Sequence, residues 1–245
     1  FWEESQRGAI GHIELADWAD VVVIAPATAD SIAKLAWGAA DSSLLAVALA
    51  TKAPVVLAPA MNVNMFNHPQ TQQNLSSLTS RGVHVVEPET GDLACGWKGQ
   101  GRLAAAHQIY SVTERALGPA DLLGQRVLIS AGPTREAIDP VRYLSNRSSG
   151  KMGVALAREA YRRGAEVTFV HGPLAQPISL PRGVRRIAVT TAAELYGVVV
   201  GEVYQRSEAP YQVVVMAAAV ADYRPATEAS EKIKKTAGTL SLELT

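Results

Sequence analysis

The stretch VVVIAPATAD, residues 21–30, decides how the rest of the chain is read. Val21–Ile24 is a β-branched run with no polar break, and small residues then lead to Asp30. A run that is apolar at every position, not at alternate ones, reads as a parallel strand buried on both faces. Runs at Val55–Leu57, Val83–Val86, Val127–Ile129, Val167–Val170 and Val213–Met216 have the same character. Between them the spacing predicts helices over Ser31–Ala40, Gln70–Arg81, His107–Leu117, Gly153–Arg163 and Ala192–Tyr204. Strand alternating with helix predicts an α/β fold of open, Rossmann-like, doubly wound parallel sheets.

Residues 213–222, VVVMAAAVAD, repeat the opening pattern. Small residues at a strand's carboxyl end let a flat ligand approach the backbone, and in open α/β sheets ligands bind in that crevice. Shared Val/Ala composition is the plainer source of the echo; the polar stop that closes both runs favours a ligand. Gly118-Pro119-Ala120-Asp121-Leu122-Leu123-Gly124 follows a helix and precedes a fresh strand, Gln125–Ala131. Two units are therefore expected, over 1–117 and 125–245, with a linker at 118–124.

The chain has 245 residues, 48% of them hydrophobic, enough for substantial cores. Basic and acidic residues balance at 23 each, which gives no support for a nucleic-acid or polybasic membrane surface. No apolar run reaches the ~18 residues that span a bilayer. A single cysteine excludes an internal disulfide framework, and a reducing, cytoplasmic setting is the simpler expectation. The five histidines show no ligand spacing, so no structural metal is expected. The start at Phe1 is neither an initiator methionine nor a signal peptide, and LSLELT, 240–245, stops inside a strand-like alternation. A piece of a longer chain is the expectation.

Three segments of the first unit could converge. They are Ala25-Pro26-Ala27-Thr28, Pro59-Ala60-Met61-Asn62, and the glycine-rich stretch around Cys95, with Gly91, Gly96, Gly99 and Gly101. Asn62 has an amide suited to a carboxylate, and asparagine equally serves as a helix cap or turn residue. His12 is a candidate base or carboxylate partner, and also an ordinary helix-start histidine. Cys95 is the only thiol, and its glycines read as hinges of a loop that closes over a ligand. Arg102 adds a charge for an anionic substrate; the plainer alternative is an exposed turn with an incidental thiol.

GHIELADWADVVVIAPATADSIAKLAWGAAD (11–41), PAMNVNM (59–65) and ACGWKGQGRL (94–103) together resemble the phosphopantothenoylcysteine decarboxylase family. The resemblance implies a Rossmann-like flavoprotein fold and FMN. It makes Ala25, Pro26, Ala27 and Thr28 the flavin-lining residues, His12 the catalytic histidine, and Met61 and Asn62 the substrate-binding pair, with Asn62 on the carboxylate. Cys95 becomes the proton donor on a loop that closes as a clamp. In that chemistry FMN oxidises the substrate's cysteine side chain, CO2 leaves, and Cys95 protonates the enethiol as reduced flavin returns its hydride. Ser42 and Ser43 stand where the family usually has an acid or amide and then leucine.

In the second unit, VLISAGPTREAIDPVRYLSNRSSGKMG (127–153) runs from a strand through an arginine-bearing loop into a helix start. Ser, Gly and backbone N–H groups there favour phosphate, and also fit an ordinary capped helix. A Walker A loop would need glycine at Ser145 and Ser or Thr at Met152. EKIKK, 231–235, fits a solvated face by itself and a triphosphate in company.

AGPTRE (131–136), DPVRYLSNRSSGKMG (139–153), AAAVADYRP (217–225) and EKIKK resemble the phosphopantothenate–cysteine ligase family. The order, decarboxylase then ligase, resembles the bacterial bifunctional proteins of coenzyme A synthesis. The resemblance implies CTP with Mg2+, an acyl-cytidylate of 4'-phosphopantothenate, and displacement of CMP by cysteine. Asn146 then holds the acyl-cytidylate and Arg142 supports the same region. Met216, Ala217, Ala218 and Asp222 belong to the CTP site, and Lys232 contacts its phosphates. Phosphopantothenoylcysteine, the product, is the decarboxylase's substrate. The family's flavin-phosphate loop is expected before Phe1 and a further CTP segment after Thr245. A homo-oligomer sharing the flavin site is implied. The alternatives are a peptidyl-cysteine decarboxylase and a non-catalytic flavin-binding regulatory subunit.

Overall fold

A computed structural model describes residues 11–92, 96, 98–174, 176–177, 179–204, 210–235 and 239–245. The chain divides into two units, Phe1–Gly118 and Pro119–Thr245.

The first unit runs α1 (Gly11–Trp18), β1 (Val22–Ala27), α2 (Ala29–Trp37), α3 (Ser43–Ala50), β2 (Val55–Pro59), α4 (Val63–Asn67), α5 (Pro69–Ser80), β3 (His84–Val85), β4 (Glu89–Asp92), β5 (Lys98–Arg102) and α6 (Ala106–Ala116). β1, β2 and β3 form a parallel sheet in that order. Successive residues of β2 point to opposite faces, so each face needs its own cover. Leu57 packs with Ile24, Ile32, Phe66, Leu75 and Leu78. Val56 and Ala58 pack on the other face with Val86, Ala104, Ile109 and Val112. Helix ends follow local chemistry. Thr28 Oγ1 accepts from Ser31 N at 3.2 Å to start α2, and Gly38, at φ 76°, ends it.

The second unit runs β6 (Arg126–Pro133), β7 (Arg135–Ala137), β8 (Tyr143–Ser145), α7 (Lys151–Arg162), β9 (Glu166–His171), β10 (Arg185–Ala188), α8 (Ala192–Tyr204) and β11 (Val213–Ala219). Its four-stranded parallel sheet has the order β10-β9-β6-β11. The first strand of this sheet, β6, is thus flanked by its second, β9, on one side and its last, β11, on the other. That reversal is a topological switch point, and the crevice lies at the carboxyl ends of β6 and β11. Val127, Ile129 and Phe169 pack with Ala157 and Ala160 of α7. Leu128 and Val170 face α8 through Leu195. Residues 120–123 belong to this unit: Leu122 N donates to Arg163 O at 2.9 Å, and Asp121 pairs with Arg163.

The expected strands and helices are present, several with shifted ends. Two expectations of burial fail. Val23 is 39% exposed, and Val213, Val214 and Met216 are 40%, 41% and 57% exposed. β1 and β11 are edge strands of the described sheets, so continuous hydrophobicity there does not mean burial on both faces. Beyond the expected elements the structure has α3, α4, β10 and the antiparallel pairs β4–β5 and β7–β8.

Candidate functional site

In the first unit the carboxyl ends of β1 and β2 are stitched together by backbone. Ala60 N donates to Ala27 O at 3.0 Å. Ala25, Pro26 and Thr28 are exposed while Ala27 is buried, and the Ala25–Pro26 bond is cis. Asn62 caps α4, its Oδ1 accepting from Asn64 N at 2.8 Å, which fixes the amide at the end of β2.

The β4–β5 hairpin lies directly on this segment. Met61 N donates to Gly101 O at 2.9 Å. A Cβ on Gly101 would collide with the Met61 carbonyl oxygen, and one on Gly99 would stand 2.6 Å from Val63 Cγ2. Both glycines meet one segment, Met61–Val63, and the hairpin register slips at Gly101, which is left without a partner residue in β4. They are contact points, not the hinges expected of them. Gly96, at φ 80° with nothing within 4 Å of a Cβ, is the glycine of the loop that has open space. Cys95 lies outside the described residues. The hairpin that carries it is seated on Met61, Asn62 and Val63.

The other candidates of this unit are not drawn in. His12 is half-buried on α1 and bonds to none of these groups among the described residues. Arg102 is exposed at the end of β5, opposite Glu89 in register. Ser42 caps α3 through Leu45 N at 3.4 Å.

In the second unit the crevice is held by side chains. Ser130 is fully buried, and its Oγ accepts from Ala217 N and Ala218 N at 3.1 and 3.2 Å. Thr134 Oγ1 accepts from Ala221 N at 2.9 Å. Asn146 Nδ2 donates to Val220 O at 2.7 Å, and Ser145 Oγ donates to Thr134 O at 2.7 Å. Asn146, Thr134 and Ser130 therefore fix the carboxyl end of β11 and the Val220–Ala221 segment that leads to Asp222. The main-chain N–H groups of Ala217 and Ala218 are already engaged by Ser130.

Arg142 and Ile233, the neighbour of Lys232, are joined through a residue that sequence reasoning missed. Asp139, its side chain wholly buried, accepts from Val141 N, Arg142 N and Arg142 Nη1, each at 2.8 Å, and from Ile233 N at 3.2 Å. Burial pushes its carboxyl up. The backbone donors of Val141, Arg142 and Ile233, with the Arg142 charge, outweigh that and hold it below the usual range. The readable signal was Asp-Pro after a strand, a turn signature. The phosphate reading of the α7 start gains little: Gly150 caps the helix at φ 69°, and a Cβ there would run into the Leu174 side chain.

Among the described residues no group of three or more His, Cys, Asp or Glu could hold a metal, and no helix is long and apolar enough to cross a membrane.

A family model described as DNA/pantothenate metabolism flavoprotein C-terminal domain matches residues 122–245, half of the chain. A second, described as Flavoprotein, matches residues 1–118. The chain belongs to the DNA/pantothenate metabolism flavoproteins. It is 47% identical over 244 residues to the coenzyme A biosynthesis bifunctional protein CoaBC of Vibrio cholerae, covering 99% of this chain and 59% of that protein. It is 47% identical over 236 residues to that of Escherichia coli, covering 96% and 56%. The chain thus spans under three fifths of the length of these relatives. Among solved structures, a PPC decarboxylase mutant complexed with pantothenoylaminoethenethiol is 38% identical over 46% of this chain and 64% of that one, with a TM-score of 0.44.

Proposed function

We propose that this flavoprotein acts in coenzyme A synthesis, with FMN-dependent decarboxylation of phosphopantothenoylcysteine in the first unit. The observation that carries this is the seating of the cysteine hairpin on Met61 and Asn62, beside Ala27, at the carboxyl ends of two parallel strands. The residues present fit a flat ring: Ala25, Pro26 and Thr28 are exposed, small and at a strand end. FMN bound there supplies the two-electron chemistry. The Asn62 amide donates to the substrate carboxylate and orients it. The hairpin brings Cys95 over the substrate carbon to deliver a proton, and its closure excludes water. His12, on α1, is the catalytic histidine of this reading.

The second unit takes part in ligating 4'-phosphopantothenate to cysteine with CTP. Asn146 holds the acyl-cytidylate beside the β11 strand end, Met216–Ala218 and Asp222 flank the nucleotide, Lys232 meets its phosphates, and Mg2+ accompanies the triphosphate. Support comes from the meeting of Asn146, Ala221 and Thr134 at the switch point.

One preparation tests both halves. The protein reconstituted with FMN should release CO2 from phosphopantothenoylcysteine and form 4'-phosphopantetheine. A peptide ending in cysteine, supplied in competition, should be left intact; its preferential turnover would overturn the substrate assignment. CTP with 4'-phosphopantothenate should release pyrophosphate, and Lys232→Ala should slow that release about tenfold or more while decarboxylation continues. Cys95→Ser should stop the reaction after CO2 release, with the oxidised enethiol accumulating. Undiminished 4'-phosphopantetheine from that variant would remove Cys95 as proton donor.

A further inference from the structure

EKIKK carries Lys232, Lys234 and Lys235 within four residues, and such charges repel one another. The segment belongs to no helix or strand. Something else must hold its backbone if its cations are to meet a ligand at fixed positions.

The residue between the first two lysines is gripped on both of its polar backbone groups. Ile233 N donates to Asp139 Oδ2 at 3.2 Å, and Ile233 O accepts from Arg142 Nη1 at 3.2 Å. The grip is itself fixed. Arg142 Nη1 also donates to Asp139 Oδ2, and Asp139 Oδ1 accepts from Val141 N and Arg142 N, all at 2.8 Å. Ile138 N closes the same turn onto Arg142 O at 2.9 Å. Upstream, Ala229 N donates to Ile138 O at 3.0 Å. A buried carboxylate spends both its oxygens on this arrangement, while Lys232 and Lys234 stay exposed.

We propose that Asp139 and Arg142 form a clasp that positions the lysine segment for the nucleotide's phosphates. Arg142 acts through Ile233 and not by touching the reacting groups. Asp139 is a positioning residue: its two oxygens divide the work, Oδ1 building the turn and Oδ2 holding the segment. The proposal rests on the nucleotide reading above for what the lysines bind; the clasp itself stands on the hydrogen bonds.

Asp139→Asn separates these roles. With its oxygen on Val141 N and Arg142 N, the variant keeps the turn but sets an amide nitrogen against two donors, Arg142 Nη1 and Ile233 N. Brief trypsin digestion without nucleotide, followed by mass spectrometry, reads the clasp directly. Cleavage after Lys232 and Lys234, normalised to cleavage after Lys52 in the first unit, should rise about tenfold as the segment opens locally. Arg142→Gln should do the same, and the double variant should add little more because both act on one residue. Unchanged cleavage at the two lysines would overturn the clasp.

CTP titration of the same proteins, by isothermal calorimetry, reads its purpose. Lys232→Ala and Asp139→Asn should each weaken CTP about tenfold, the scale of one charge-assisted contact. Asp139→Asn should raise the KM for CTP more than it lowers kcat in the pyrophosphate assay. If Lys232→Ala weakens CTP and Asp139→Asn does not, the positioning role is wrong. If the unaltered protein binds no CTP, the nucleotide reading fails and the positioning role with it, while the trypsin result still decides whether the clasp exists.

Discussion

In the first unit the candidate groups ride on backbone that touches backbone; in the second they ride on loops tied down by side chains. Asn62 and the cysteine hairpin meet because Gly99 and Gly101 let β5 lie against Val63 and Met61. Asn146 and the lysine segment are held by carboxylate, hydroxyl and amide groups that reach across to main chain, at Val220, Ala221 and Ile233. Close approach is not missing from the second unit. There it serves packing, as where Gly153 of α7 lies against Ala131 of β6. The difference teaches where each site is fragile. Backbone contact fails by steric intrusion, at positions that tolerate nothing larger than glycine. Side-chain ties fail by loss of a partner, at positions where the replacement is isosteric.

The largest expected effect tests whether the two units can be compared as separate bodies at all. Phe169 of β9 is fully buried and packs with Ala157 and Ala160 of α7. Phe169→Ala should destabilise the second unit by about 3–5 kcal/mol. All four tryptophans lie within residues 1–118, so tryptophan emission follows the first unit alone. In a urea titration its midpoint should stay put while hydrogen exchange shows the second unit unfolding early. A common shift of both signals would break the comparison, since the units would then unfold as one.

Next comes the steric side of the contrast. Gly101 sits at φ 146°, where L side chains are strained, and an added Cβ would strike the Met61 carbonyl, which is backbone and cannot swing aside. Gly101→Ala should cost decarboxylation about 100-fold, the usual penalty for displacing a catalytic group by about 1 Å. Gly96→Ala, in open space, should cost only about 1 kcal/mol of local strain and much less activity. CTP-dependent pyrophosphate release should be untouched by either. Equal losses from the two variants would mean the hairpin's flexibility, not its seat, governs the reaction.

On the polar side, Asn146→Ala removes the Nδ2 donor to Val220 O without intruding on anything. Pyrophosphate release should fall about tenfold or more, as for a lost hydrogen bond at a charged site, with decarboxylation unchanged. A loss of both activities in the same preparation would point to misfolding and leave no contrast to sharpen.

Some of this was legible in the residues. β2, β6 and β9 could be read because they are central and built on short, largely β-branched apolar runs alternating with helical patterns. β1 and β11 gave the same signal from sheet edges, because composition reports hydrophobicity and not neighbours. The hairpin was half legible: glycine at 96, 99 and 101 marked special backbone, but φ and close approach look alike in sequence. What separates contact from hinge is the segment Met61–Val63 lying against Gly99 and Gly101, and that segment is about forty residues away in sequence. Asp139 was hidden in plain sight inside a motif read for its arginine and asparagine. Its partner Ile233 is 94 residues away, and no local pattern announces a bond of that range.

The smallest expected effect asks whether the first unit carries a titrating weakness of its own. His84 lies half-buried on β3, and burial, reinforced by the Arg115 charge, lowers its pKa. A histidine lowered in the folded state takes up its proton more readily when unfolded. The unfolded chain therefore binds more protons once pH drops below about 6.5, and stability declines from there toward the lowered folded value. Between pH 7.5 and 5.5 the urea midpoint read by tryptophan emission should fall slightly. His84→Gln cannot take up the proton and should flatten that slope, whatever it does to the absolute midpoint. An unaltered slope would put the acid sensitivity of this unit elsewhere.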